Sequence, residues 1–584
     1  MAEKKTTIGL LYRFMKVGKP LIVLSVLLYA ITMAMNLFPP FFQQVYTDNI
    51  ITKKNPEWFW PLIILYTALF VLELIAWLVL NSHRRTLTMH FSLISQSRYI
   101  WHVLRLPMSS FRRFSAGDLL ARYTSIGTTG VNLFDLAPAV VLLLNIVIFS
   151  YLLFVYHWKL GLIELMALAT IFLSMRLSTS YQKRKARSME ATDRRLQSTT
   201  MAGIRSMETI KSAGAELSFY QRWDGIYAQA LNARVTVTRQ MILMSALPIL
   251  VQQVSNALLL CLGTWFILKG ELTPGMLLAS QGFMSVMLFP LTNIARVTQD
   301  VYKAHSVLER QEEVLETDID VRHQKDQLSI ADSQLTKLHG EIELRDVTFG
   351  YDRSQPPLIN HLSMHIKAGE HVAFVGKSGC GKSTIGMLIA GLYQPWEGEI
   401  LIDGRPVNQI DRVTLTSSVG VVNQDVMLFE GTIADNIRMW DDSIDDEAME
   451  RAAVRAQLHD DIVSHAEGYE SLVATGGHNF SSGERQRLEI AAALAKEPTI
   501  LLMDEATAEL DEVSEKNVMQ AVRDMGITML VIAHRLETIR HCDRIYVIDY
   551  GHVVQKGNHE SLMADHDGIY YLLNNSNNQD GSDI

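Results

Sequence analysis

Two short stretches of this chain carry residues whose types and spacing suit phosphoryl chemistry. The first, Gly376-Lys-Ser-Gly-Cys-Gly-Lys-Ser-Thr384, matches the pattern GxxxxGK[ST]. Gly376, Gly379 and Gly381 let backbone N–H groups come close to phosphates, and a helix opening at the loop's end presents its positive terminus to them. In such a loop Lys382 contacts the outer phosphates and Ser383 offers a hydroxyl to Mg²⁺; Ser378 and Thr384 are further nucleotide-binding candidates. The second stretch, Thr499-Ile-Leu-Leu-Met, ends in Asp504-Glu505. Beside a phosphate loop, an acidic pair at the end of a buried strand divides its labour. Asp504 is expected to hold Mg²⁺, commonly through water, and Glu505 to polarise an attacking water. An apolar strand ending in two acids is common, and only the phosphate loop gives it meaning.

The elements needed to position these residues are legible around them. HVAFV before the loop reads as a strand and TIGMLIAGLY after it as a helix, the context the loop requires. From Gly340 onward short β-branched runs alternate with helical segments, as in an α/β domain with a mostly parallel sheet. The first half differs. Six apolar runs of bilayer length fall near 21–38, 58–80, 136–155, 160–175, 241–268 and 276–295. The connections after the second and fourth runs are long and rich in Arg and Lys, including Arg84, Arg112, Arg122, Lys183 and Arg195. The positive-inside rule places both of them, the N-terminus and everything after residue 295 in the cytoplasm. Each long connection reads as a helical hairpin, reversing near 115–118 and near 214–225.

These readings divide 584 residues into a transmembrane domain (1–318), a polar linker (319–339), a nucleotide-binding domain (340–573) and a disordered tail (574–584). A net charge of −9 gives no sign of a nucleic-acid partner. The positive mean hydropathy of +0.11 comes from the first half, and the lipid bilayer is its expected surrounding. Cys261, Cys380 and Cys542 form no metal-ligand pattern and suit a reducing interior. The first apolar run is expected to stay as an anchor, not to be cleaved as a signal peptide.

With the phosphate loop and the acidic strand end in this order, the chain resembles the ATP-binding-cassette (ABC) exporters over nearly its whole length. The resemblance implies a multidomain fold: an all-α transmembrane domain of six helices followed by an α/β P-loop ATPase domain. It also implies a bacterial cytoplasmic (inner) membrane location, ATP and Mg²⁺ as cofactors, and a dimer of two such chains. It assigns Tyr351 in FGYDR to stack on adenine, Gln424 in VVNQD to sense Mg²⁺ and the membrane domain, and His534 in LVIAHR to contact the γ-phosphate. Asp511 in ATAELD matches the loop that communicates between the two ATP sites. The two cytoplasmic hairpins then correspond to coupling helices that dock on the ATPase domains.

One loop departs from the family. Where its members read LSGGQ, acting on the ATP of the opposite subunit, this chain reads Phe480-Ser481-Ser482-Gly483-Glu484. Ser481 and Gly483 keep the pattern. Ser482 adds a side chain where glycine permits close approach, and Glu484 brings a carboxylate toward a polyanion. Because the loop acts in trans, the alteration belongs to the partner's ATP. The expected partner is a non-identical second half-transporter with an intact LSGGQ-type loop and an altered catalytic glutamate, opposite this chain's Glu505 and His534. The wording NFSSGERQRLEIA is similar to exporters of bacterial ribosomally made peptides and bacteriocins, so a peptide is the expected cargo. The first span opens within about thirty residues and no Cys precedes it, so the peptidase many of those exporters carry is expected to be absent. A multidrug or lipid exporter is the alternative cargo class, and a regulatory subunit with residual ATPase activity the alternative of another kind. Glu73, Gln252, Asn256 and Gln281 are polar positions within the apolar runs and candidates for the substrate path or for helix-to-helix hydrogen bonding.

Overall fold

A computed structural model describes residues 19–134, 136–320, 337–533 and 535–579. The chain separates into two compact units. One comprises 1–101 and 117–316; the other comprises 102–116 and 317–584.

The first unit is helical. Its elements are α1 (Lys19–Met35), α2 (Phe38–Val45), α3 (Phe59–Val103), α5 (Ala116–Phe134), α6 (Leu136–Tyr156), α7 (Trp158–Arg205), α8 (Met207–Ser212), α9 (Glu216–Leu268) and α10 (Pro274–Leu315). The short α4 (Met108–Arg113) belongs to the second unit. The six apolar runs fall within α1, α3, α6, α7, α9 and α10. Among the described residues, three stretches are long and apolar enough to cross a membrane by composition: Val23–Thr52, Pro56–Val103 and Ile249–Leu268. The first run does not end at residue 38 as the hydropathy suggests. Pro39 and Pro40 open a second helix there, and a π-helical stretch, Tyr46–Thr52, carries the chain on. Asp48 in that stretch accepts hydrogen bonds from the Thr273 hydroxyl (2.6 Å) and the Gly275 N–H (2.9 Å) at the start of α10.

Turn chemistry explains the short outer connections. His157 alone separates α6 from α7. Between α9 and α10 the chain turns at Gly270 (φ +77°), then restarts with Thr273 as N-cap and Pro274 in the first turn. The second cytoplasmic reversal runs from Ser206 to Ala215 and stops before the expected 225. Gly214 takes a left-handed turn (φ +61°), whereas Gly225 sits inside α9, where Trp223 and Tyr227 stack one turn apart. Residues 321–336 of the expected linker lie outside the described residues, and the final helix runs Ile569–Gln579, through the start of the expected tail.

The second unit holds two main sheets. An antiparallel sheet runs β2-β1-β4-β5, from Ile342–Phe349 (β1), Ile359–Ile366 (β2), Glu397–Ile402 (β4) and Arg405–Pro406 (β5). The larger sheet is ordered β12-β11-β3-β10-β9-β6, with β3 (His371–Val375), β6 (Val419–Val422), β9 (Ile500–Asp504), β10 (Thr528–Ile532) and β11 (Arg544–Asp549) parallel. β12 (His552–Gly557) closes one edge antiparallel, and β7 (Gly431–Thr432) pairs with β8 (Leu472–Val473) separately. Both faces of the parallel sheet are covered. Ile500 and Leu502 point into one core with Phe374 and Ile548, while Leu501 and Met503 point into the other with Val531 and Val547. That two-sided burial accounts for runs such as TILLM being apolar throughout instead of alternating.

Candidate nucleotide site

Register assembles the site. Ile532 at the end of β10 pairs with Phe374 near the end of β3 and with Asp504 at the end of β9. The loop after β3 and the acids after β9 therefore emerge at one sheet edge, with β10 between them, roughly 10 Å apart at ordinary strand spacing.

The phosphate loop has the backbone its glycines were chosen for. Gly381, left-handed at φ +107°, precedes α11 (Lys382–Ile389). A Cβ on Gly376 would lie 2.1 Å from the Ile548 carbonyl oxygen, so no side chain fits there. Lys382 is 7% exposed, and its ammonium donates to the carbonyls of Gly376 (2.8 Å) and Lys377 (3.1 Å). A buried cation on neutral acceptors, at the N-terminus of a helix, fits the polyanionic tail of a nucleoside triphosphate. Thr384 is buried; its hydroxyl is 2.8 Å from that of Tyr351.

Tyr351 sits among aromatic rings, with Phe349 and Tyr393 edge-on to it. The Arg112 guanidinium of α4 lies 3.8 Å from the Tyr351 ring centroid. One cytoplasmic hairpin tip therefore packs within the ATPase unit. Sequence reasoning marked the hairpin for docking but gave no sign of which side chain would do it.

Glu505 follows β9 with a left-handed backbone (φ +50°), which is rare outside glycine. Gln424 donates to its carboxylate from 2.9 Å. The structure thus joins Gln424 and Glu505 directly, although they lie 81 residues apart. Asp504 ends β9 beside them. His534 lies outside the described residues. Asp511 caps α13 (Glu512–Asp524), accepting from the N–H groups of Val513 and Ser514, and hydrogen bonding from the Ser514 side chain, then from its N–H, holds the carboxyl below the usual range.

The altered loop forms a capping box. Ser481 is the N-cap of α12 (Ser482–Leu494), and Glu484 is the third residue of that helix. One Glu484 carboxylate oxygen accepts from the Ser481 N–H (2.8 Å) and the Ser481 hydroxyl (2.7 Å). The Ser481 hydroxyl in turn accepts from the Glu484 N–H at 3.2 Å. Hydrogen bonding from Ser481 outweighs partial burial and keeps Glu484 more acidic than an ordinary glutamate. The sequence leaves the direction of this carboxylate open; here it is folded back on its own helix end. The spacing Ser481-x-x-Glu484 is the capping-box signature, a signal the reading left unused.

The same helix is tied to the segment that follows β9. Gln486, nearly fully buried, donates to the Glu505 carbonyl (3.3 Å) and accepts from the Glu509 N–H (2.9 Å). Glu489 accepts from the Asn423 N–H, next to Gln424, at 3.1 Å.

Known proteins share this arrangement. The ABC transporter family pattern matches residues 359–508, and that of the ABC transporter transmembrane region matches 22–291. The exotoxin translocation ATP-binding protein PaxB of Pasteurella aerogenes is 30% identical over 553 residues, covering 92% of this chain and 75% of PaxB. The chain belongs to the ABC transporter family. The toxin RTX-I translocation ATP-binding protein of Actinobacillus pleuropneumoniae is 31% identical over 552 residues, covering 92% of this transporter chain and 75% of its own. The alpha-hemolysin translocation ATP-binding protein HlyB of Escherichia coli is 30% identical with the same coverage. Among solved structures, a bacterial Atm1-family ABC exporter with ATP bound matches with a TM-score of 0.79 at 26% identity, covering 95% of this chain and 97% of that one. This chain is therefore an ABC exporter of the cytoplasmic membrane, a helical transmembrane domain fused to an ATPase domain on the cytoplasmic side, coupling ATP hydrolysis to transport.

Proposed function

We propose that this exporter chain is one half of an asymmetric heterodimer and supplies the catalytic carboxylate of its single competent ATP site. The observation that carries the proposal is the pairing of an unaltered Glu505, hydrogen-bonded to Gln424, with a loop whose Ser481 is engaged by Glu484. In the bound state Gly376, Gly379, Gly381 and Lys382 hold the β- and γ-phosphates, Ser378 and Thr384 line the same loop, and Tyr351 faces the adenine. Ser383, Gln424 and Asp504 would hold Mg²⁺, which neutralises charge developing on the phosphate oxygens. Glu505 accepts a proton from the attacking water while Gln424 fixes the carboxylate's orientation. His534 is assigned to the γ-phosphate and Asp511 to communication between the sites.

Ser481 and Gly483 act on the partner's nucleotide, and there the loop is impaired. An anion already occupies the N-terminus of α12: the Glu484 carboxylate takes the Ser481 N–H and hydroxyl that a γ-phosphate would otherwise use. The partner accordingly carries a sound LSGGQ-type loop and an altered glutamate of its own.

The cargo is a peptide or polypeptide. The names of the relatives support this class, since they describe translocation of toxins and hemolysins. A tagged copy of this chain, extracted from its native membrane, should bring down an equal amount of a different half-transporter. Recovery of this chain alone, with brisk hydrolysis, contradicts the heterodimer.

A further inference from the structure

The apolar stripe of α7 is interrupted by an acid. Leu160, Glu164, Ala167 and Ile171 share one helix face, and all four are buried, Glu164 completely. Around this face the core of the bundle brings Phe149 and Leu153 from α6 and Phe283, Met284 and Met287 from α10. Within that apolar setting Glu164 has one hydrogen-bond partner among the described residues: Ser150 of α6 places its Oγ 3.0 Å from Glu164 Oε1. The same Oγ is 3.8 Å from the Met287 sulfur. The second carboxyl oxygen, Oε2, is buried with no hydrogen-bond partner among the described residues.

Among the described residues no cation compensates this group. On α7 itself Lys159 lies more than one turn away toward the outer end, where its ammonium stands 4.9 Å from the Phe266 ring. His157 there pairs with Glu271 at 3.2 Å. The described span of α6 offers only Tyr151 and Tyr156, that of α9 between Ile249 and Leu268 only Cys261, and α10 up to Met287 nothing titratable. An unpaired carboxylate inside a membrane bundle is strongly disfavoured, and such a group takes a proton instead. The geometry agrees. A neutral carboxyl can donate to Ser150 Oγ, whose own hydroxyl is then free to face the Met287 sulfur. Oε2 lacks a donor among the described residues in either state, and only ionisation adds uncompensated charge to it.

We propose that Glu164 is a proton-binding site of the transport cycle, holding a proton while the bundle is packed around it and exchanging it with water when α6, α7 and α10 part. Release moves one proton from the carboxyl to water and leaves a carboxylate; uptake is the reverse. Since ionisation is tolerated only where water reaches the group, rising pH favours the opened bundle. The site needs neither a particular cargo nor a particular partner, so it stands apart from the heterodimer proposal.

The test is infrared difference spectroscopy on the full-length transporter in lipid nanodiscs, nucleotide-free against vanadate-trapped. A protonated-carboxyl C=O band should disappear or shift on trapping, and Glu164→Gln should lack it. Ser150→Ala, which removes the hydrogen-bond partner without adding volume, should move the band's frequency. ATP hydrolysis by Glu164→Gln should lose a limb of the native pH profile. Identical difference bands in the native protein and Glu164→Gln, or a band unmoved in Ser150→Ala, would overturn the assignment.

Discussion

The carboxylate of Glu484 lies 2.8 Å from one N–H and 2.7 Å from one hydroxyl of Ser481, the donors proposed for a phosphate. Its pKa lies below the ordinary value, so its stabilising contribution is complete above the unfolded pKa and fades only as pH falls through the lowered one. Between about pH 6 and 8 the group stays ionised, and mild acid will not free Ser481. Glu484→Gln keeps a side chain that serves a capping box, so thermal stability should change little. Nucleotide affinity at the site this loop closes over should rise, measurable as tighter binding of an ATP analogue by the purified pair, with no second turnover phase, because that site's own glutamate is altered in the proposed partner. Ser481→Ala should cost about 1 kcal/mol, read as a lower melting midpoint. Glu505→Gln should keep nucleotide affinity and lower hydrolysis by about a hundredfold or more, as expected for a general base.

Helix α12 links the altered loop to the segment after β9 through Gln486 and to the Gln424 loop through Glu489. Burial pushes the Glu489 carboxyl up despite its bond from Asn423, and Oε2 has no partner among the described residues. A raised carboxyl's contribution to folding is full below its unfolded pKa and is lost as pH rises through the folded one. Glu489→Gln should therefore stabilise the ATPase domain at pH 8 relative to pH 5, seen as a smaller drop in melting midpoint between the two. Gly376→Ala tests the phosphate loop as an element. Its Cβ would strike the Ile548 carbonyl oxygen, so nucleotide binding should fall together with stability.

These elements show what a sequence can reveal. The phosphate loop, β9 with its acids and the apolar spans were legible because each is set by local spacing. The left-handed Glu505, the Gln424–Glu505 bond and Arg112 over Tyr351 were not, because register and packing decide them across long separations. Glu164 was overlooked although its signal was present: an acid on the face otherwise made of Leu160, Ala167 and Ile171.

Over the whole molecule, a helical membrane unit and an ATPase unit that includes the α4 hairpin tip follow the ABC exporter plan. Coupling through that tip predicts that Arg112→Ala will uncouple transport from hydrolysis more than it lowers hydrolysis, measured by cargo uptake into inverted vesicles against phosphate release. The asymmetry of the pair is the larger claim. It rests on a good carboxylate and a self-occupied loop residing in one polypeptide. The most direct measurement is ATP turnover by the purified pair with Glu505→Gln in this chain alone. The account predicts near-complete loss, about a hundredfold or more, because only one site is competent. Retention of about half the native rate would mean two working sites and would contradict it.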